Sequence, residues 1–312
     1  MVSYRAGQIA WKIIRFLLLF GIIFTLLYPI LFMLVTAFRG LEDVYNPSVA
    51  WITRHWTLEH ITYFLELDEI DFWNVFGYTF VISLGGAVLQ TAICSTVGYG
   101  FARFKFPGRG VFFALVIFTI IVPVQTYLSQ LFIDFRYFSL PQFFNVMEPL
   151  VNDQNLIGTP WPYWLQAAFG MGFRAGLFIF IFRQFYRGLP VELDDAARID
   201  GCSSFRTYLV VMLPNAISAI VTVFMFSFVW HWNDHATQSF LSMGKNTLSM
   251  LLSHMHSTLA TASSTGWGQN SEMIVQVRVQ AGALVTIAPM LILFAFGQRF
   301  FTESIERTGI VG

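Results

Sequence analysis

Residues 16–38 form a run of 23 positions without a charge, bounded by Arg15 and Arg39. A helix of roughly 20 apolar residues crosses the hydrocarbon core of a bilayer, because lipid cannot satisfy exposed backbone groups and a helix satisfies them internally. Five more apolar runs follow, at about 76–101, 111–133, 164–182, 215–232 and 279–297. They predict an all-α, polytopic membrane protein with six transmembrane helices in a single domain, 1–312. The first run is longer than the roughly 7–15 residues of a signal-peptide core, and no small-residue cleavage site follows it. It is expected to stay as an anchor.

Composition agrees. Hydrophobic residues make up 56% of the chain and charged residues 12%, against about a quarter charged in an ordinary soluble domain. Mean hydropathy is +0.62 and the formal net charge is zero, so nothing in the charge balance points to nucleic acid. Cys94 and Cys202 form no CxxC pair, which argues against disulfide staples and zinc ribbons.

Six spans place the connecting segments on alternating sides. One side, with both ends of the chain, 102–110 and 183–214, holds 12 of the 18 Lys and Arg residues, Arg103, Lys105, Arg109, Arg183 and Arg187 among them. Basic residues near span ends are retained in the cytoplasm, so both termini are expected there. The outer segment 39–75 carries seven acidic residues against Arg39 and Arg54. Trp51, Trp56, Trp73, Trp161, Trp164, Trp230 and Trp232 lie near span ends, as an interfacial aromatic belt does. Pro29, Pro123 and Pro289 are expected to kink spans, and Gly77, Gly85, Gly86, Gly98 and Gly100 to mark close helix contact.

Patterns for catalysis fail on inspection. Gly244-Lys245-Asn246-Thr247 resembles the end of a phosphate loop, but Ser239 stands where the first glycine belongs. His231 and His235 have the spacing of a helical zinc pair without the intervening glutamate, Trp232 taking its place. No nucleophile elbow frames a serine, and no span carries paired carboxylates of the kind that relay protons.

The segment 188–214 is different. Pro190 suits a first helical turn, with Glu192, Asp194 and Asp195 at the positive end of the dipole. Gly201 can take a left-handed C-cap, Ser203 can cap a second helix, and Pro214 closes it. Two short helices about a glycine corner, projecting from a membrane domain, suit docking to another protein.

Here the chain resembles a known family. Asp195-Ala196-Ala197, Gly201 and Leu213-Pro214 are similar to the EAA loop of ATP-binding-cassette (ABC) importer permeases, and Asp195-Ala-Ala-Arg-Ile-Asp-Gly201 looks like the carbohydrate-uptake branch, close to the smaller permease subunit of maltose-type importers. Gly98 to Arg109, Ile121 to Gln125, Trp232-Asn233-Asp234 and Ala288 to Arg299 agree with that branch. The resemblance implies the type I ABC importer permease fold, in the cell (inner) membrane of a bacterium or archaeon.

It also implies partners: a second related permease, two ABC ATPase subunits, an extracytoplasmic solute-binding protein and membrane lipid. No cofactor is expected in this chain, ATP and Mg belonging to the partner ATPase. Glu192, Asp195, Ala196, Ala197, Asp200, Gly201, Leu213 and Pro214 are the implied coupling residues. Gln125, Trp232 and Asn233 are the polar and aromatic candidates for a substrate path, with a sugar or oligosaccharide as cargo. Within 233–278, a helix over about 247–260 and the stretch 263–268 resemble the loop that meets the binding protein. The rival readings are a permease for a polyamine, amino acid or peptide, and an ATP-independent carrier or scaffold. Three features depart from the family: Asp195 replaces its glutamate, 134–163 is long, and the tail 309–312 lacks its lysine.

Overall fold

The computed structural model describes residues 2–46, 48–49, 51–138, 154–172, 174–264 and 272–309. Residues 139–153 of the long 134–163 segment, part of 263–268 and the tail beyond Gly309 lie outside the described residues. Among the described residues there is no strand, only two isolated bridges, Arg39 with Trp56 and Phe138 with Gln154.

Among the described residues, three helices are long and apolar enough to cross a membrane alone. They are α1 (Val2–Ala37), α3 (Phe72–Arg103) and the last helix, α13 (Glu272–Gly309), whose apolar part ends at Gln298. Pro29 and Pro289 sit inside continuous helices. The other runs are shorter as helices: α4 (Arg109–Ile121), α7 (Ala175–Gly188) and α10 (Ile217–Trp232). At about 1.5 Å per residue they span roughly 20–24 Å, less than the ~30 Å core.

Two of the expected spans are therefore corrected. The third, 111–133, is broken: α4 stops at Ile121, Pro123 follows, and the chain makes a 3₁₀ turn at Val124–Thr126 before α5 (Leu128–Arg136). Proline lacks the N–H that would continue the ladder and drives its predecessor out of the helical region. Val122 accordingly stands at φ −71°, ψ 118°. The fourth, 164–182, is split between α6 (Trp161–Ala168) and α7. Gly170, at φ +69°, ends α6 with its N–H on Ala167 O, while Met171 N donates to Gln166 O. Apolar residues flank both breaks, with Gln125 in the first and Arg174 in the second, so hydropathy averaged over a span runs them together.

The chain divides into two compact units, Met1–Phe72 with Leu252–Ala288 and Trp73–Leu251 with Pro289–Gly312. In the first, the C-terminal end of α1 meets the following loop: Gly40 N donates to His55 O and Thr57 N to Phe38 O. The short helix α2 (Glu59–Glu66) buries His60 and Phe64, with His60 Nε2 2.9 Å from Arg39 O. Phe64 lies against Gly282 of α13, where an added Cβ would stand 2.6 Å from its ring.

In the second unit, α3, α7 and α10 share a core with residues of the expected loop 183–214. Phe178, Phe182, Tyr186, Met212 and Val223 are buried in it. Gly98 permits the approach of α3 to α7, since a Cβ there would stand 2.5 Å from that of Phe182. Gly85 and Gly86 make room for Trp164 and His231 in the same way. Gly77 does not fit the expectation of close contact, because nothing lies within 4 Å of its Cβ position; Gly100 meets only the Phe104 ring, at 4.0 Å.

Candidate functional site

The segment after α7 forms two helices at a sharp corner. The first, α8, covers Glu192–Ile199 with Glu192, Asp194 and Asp195 in its first turn, where the exposed N–H groups favour anions. Of these only Asp194 turns inward. Its Oδ1 accepts from the Tyr99 hydroxyl at 3.1 Å, and its Oδ2 lies 3.1 Å from Arg103 Nε at the end of α3. The pair is a close charge contact, without an N–H aimed along the line of centres. Arg103 also donates from a terminal nitrogen to Leu189 O (2.8 Å) and Pro190 O (3.3 Å). One arginine thus satisfies the chain just ahead of α8 and the carboxylate in its first turn.

The corner is a Schellman closure. Gly201 N donates to Arg198 O and Cys202 N to Ala197 O, with Gly201 at φ +77°. Ser203 then starts α9 (Ser204–Asn215), its Oγ accepting from Arg206 N at 3.4 Å. Within α9 the turn Tyr208–Met212 widens to a π-helix, so that Leu213 N reaches Tyr208 O. Pro214 is the cause, since it has no N–H for Val210 and its ring would strike that carbonyl in a regular turn. Asn215 Nδ2 bonds Val211 O at 2.7 Å, and the chain then bends by 81° into α10.

A buried tyrosine cluster ties the corner to the spans. Tyr186 of α7 and Tyr208 of α9 both bond Ser95 Oγ on α3, at 2.7 and 3.0 Å. Tyr99 packs against both rings, with centroids 5.6 and 5.2 Å away. Displacement of α9 must therefore break buried hydrogen bonds or carry α3 and α7 with it.

The outward face of this corner is apolar and acidic. Ile199 is 86% exposed, more than any other large hydrophobic residue described, and Phe205 and Val191 are also exposed. Glu192, Asp195, Ala196, Asp200, Gly201 and Pro214 share that exposure, while Leu213 is half-buried. Ala197 is turned the other way, 5% exposed in the chain's own core, about 100° round the helix from Ala196. Of the two alanines, only Ala196 is presented outward.

The three substrate-path candidates separate. Gln125 lines a cavity of about 350 Å³ with Tyr127, Arg174 and Asp234. Trp232 is 1% exposed, packed edge-on against Phe76 and beside Phe228. The Asn233 side chain is exposed and bonds back to Val229 O at 2.9 Å, so it serves its own helix.

Residues 94–303, which carry the C-terminal third of α3, the α8–α9 corner and the helices around it, match the family described as "Binding-protein-dependent transport system inner membrane component". The chain belongs to this family. It is a multi-pass permease component of an ABC importer and not an enzyme; the ATPase is on separate subunits. Over 299 residues it is 28% identical to the arabinooligosaccharides transport system permease protein AraQ of Halalkalibacterium halodurans, covering 93% of each chain. It is 26% identical to the maltodextrin transport system permease protein MdxG of Bacillus subtilis, covering 96% of each. Its fold is that of a chain in a bacterial ABC transporter involved in import of the acidic polysaccharide alginate, with a TM-score of 0.70, 17% identity, and coverage of 93% and 96%.

In this permease the sequence pattern located the corner but not its anchor. Asp194 read as one of three helix-start acids, and Arg103 as one of many loop cations. The signal that separates Asp194 is its spacing of three from Ala197: both fall on the apolar face of α8 with Leu193. An acid on an apolar face needs a partner.

Proposed function

We propose that this chain is one of two related permease subunits of an importer for a sugar or oligosaccharide, with both termini cytoplasmic. An extracytoplasmic solute-binding protein delivers the cargo at the outer segments. Two ATPase subunits, which carry ATP and Mg, dock on the α8–α9 corner of this chain and on its counterpart in the second permease. Their closure moves the corner, and the permease pair rocks between inward-open and outward-open states. The observation that carries the reading is an exposed apolar end, Ile199 and Phe205, on a base held by the buried contact of Asp194 with Arg103. Such a patch outside the apolar spans marks a protein contact, and its rigid base transmits displacement to α3 and α7. The sugar assignment is supported by the names of the relatives, which transport arabinooligosaccharides and maltodextrin.

A tagged copy purified from its own cells tests both parts. It should retain an ATPase and a second permease, and after reconstitution with the receptor it should take up labelled oligosaccharide only with ATP. Uptake of a polyamine, amino acid or peptide in place of sugars would overturn the cargo assignment. Uptake without any ATPase would overturn the importer.

A further inference from the structure

Three interruptions of apolar helix converge in the second unit. They are the break after Ile121 at Pro123, the split before α7 where Arg174 stands at φ +60°, and the end of α10 at Asn233–Asp234. The cavity of about 350 Å³ lies where they meet, with Thr119, Gln125, Tyr127, Arg174, Asp234 and Ala236 on its wall. Non-helical backbone at membrane depth persists only where protein covers it or where it faces a water-filled space. The volume falls within the roughly 300–1,000 Å³ of small-molecule sites. Its polar groups include an amide, a carboxylate and a guanidinium, beside the hydroxyls of Thr119 and Tyr127. They can give and accept hydrogen bonds from vicinal hydroxyls, and Tyr127 adds an aromatic ring beside them. The guanidinium of Arg174 is held over the Trp230 ring, 4.4 Å from its centroid. Asp234 is fixed as the cap of α11 (His235–Leu241), accepting from Thr237 N at 3.1 Å.

We propose that this cavity is a sugar subsite contributed by this chain itself, taking one neutral pentose or hexose unit of the cargo. The inference rests on the sugar-importer reading. Neutrality follows from the wall: one cation, Arg174, and one anion, Asp234, leave no net charge to attract an acidic sugar. Asp234 is held in place on this wall, its Oδ1 committed to the Thr237 N–H at the start of α11 and its second oxygen left for a ligand hydroxyl. Asparagine there would keep the cap, lose the charge and leave the protein folded.

The test uses the assembled transporter in nanodiscs, with Gln125→Cys in a Cys202→Ser background; Cys94 is buried and stays. Alkylation of the new thiol is followed during titration with maltotriose, arabinotriose and, as the acidic control, a trigalacturonate. At saturation a neutral sugar should slow alkylation by about tenfold. Asp234→Asn should raise the half-protecting concentration by about tenfold, as loss of a hydrogen bond to a charged group does. Arg174→Lys is the second variant and should shift it in the same direction. Uptake of the same sugars into vesicles is measured in parallel. Uptake without protection overturns the subsite and leaves the importer standing. Stronger protection by the trigalacturonate overturns the neutral assignment. Failure to take up any sugar, with transport of another solute, overturns both readings.

Discussion

Arg103 and Asp194, 91 positions apart, meet at 3.1 Å with side chains 9% and 7% exposed, and they fix the α8–α9 corner to the end of α3. Removal of one partner strands the other as a buried charge, at a cost of about 3–5 kcal/mol. Arg103→Met should therefore lower the melting temperature of the purified permease and release the ATPase. Asp194→Asn should be milder, because it still accepts from Tyr99. The double variant Arg103→Met/Asp194→Leu should recover most of the stability, since apolar replacement of both charges is often neutral. It should not recover ATPase-coupled uptake, because the bonds from Arg103 to Leu189 O and Pro190 O stay lost. Wild-type melting by Arg103→Met would remove the anchor from the account.

Gly201→Asp separates docking from folding. Nothing lies within 4 Å of the Cβ position at Gly201, so a side chain meets no neighbour in this chain. The cost is the left-handed backbone, about 1–2 kcal/mol and less for Asp and Asn than for other residues. The variant should insert at normal abundance and pair with the second permease. Uptake should fall sharply, because the new carboxylate projects from the face proposed to dock the ATPase. Loss is partial where the counterpart corner holds the ATPases in place. Membrane abundance, ATPase co-purification and uptake are read together, and normal uptake would sink the coupling role.

The helical class and the corner were legible because both are written locally. A charge-free run, three acids in a first turn and a glycine with a serine two positions later act within a few residues; Pro190 does not stand in that turn, since α8 begins at Glu192 with Val191 as its N-cap. What was illegible depends on tertiary placement or on a break that hydropathy ignores. Pro123 and the Phe169-Gly170 stop both lie in apolar surroundings, so each merged into a continuous run. Ala196 and Ala197 read as one small patch, yet the helix puts them on different faces. Trp232 and Asn233 read alike with Gln125 as the polar and aromatic candidates of the spans. Burial of the first and the local bond of the second leave Gln125 alone at the cavity.

Orientation can be read from a native thiol. Cys202 is half-buried beside the corner and Cys94 is buried. In cells without an outer-membrane barrier, expressing the chain without its ATPases, an impermeant maleimide should leave Cys202 unlabelled until lysis. Ser48→Cys, in the outer segment, should label in intact cells. The reverse pattern would invert the topology drawn from the basic residues. Asn152, another natural choice for an outer probe, lies outside the described residues.

The outer cap of α1 should loosen in acid. Asp43 is 2% exposed, and its Oδ2 accepts from the backbone N–H of both Arg54 and His55 at 2.7 Å. The bond from His55 N is the main cause that holds its carboxyl below the ordinary value of 3.8; burial opposes it, and the bond from Arg54 adds to it. A carboxylate with a lowered folded value contributes stability above its unfolded value, and that contribution is lost as pH falls through the folded one. The loop 39–57 should therefore keep its protection at neutral pH and lose it between about pH 5 and pH 2. Hydrogen exchange of peptides covering Arg54 and His55, expressed as protection over the unstructured peptide at each pH, measures this directly. Asp43→Asn should be less protected than the wild type at pH 7 and should show no further loss in acid. Protection that stays constant to pH 2 in the wild type would show that Gly40 N on His55 O and Thr57 N on Phe38 O hold the loop without the carboxylate.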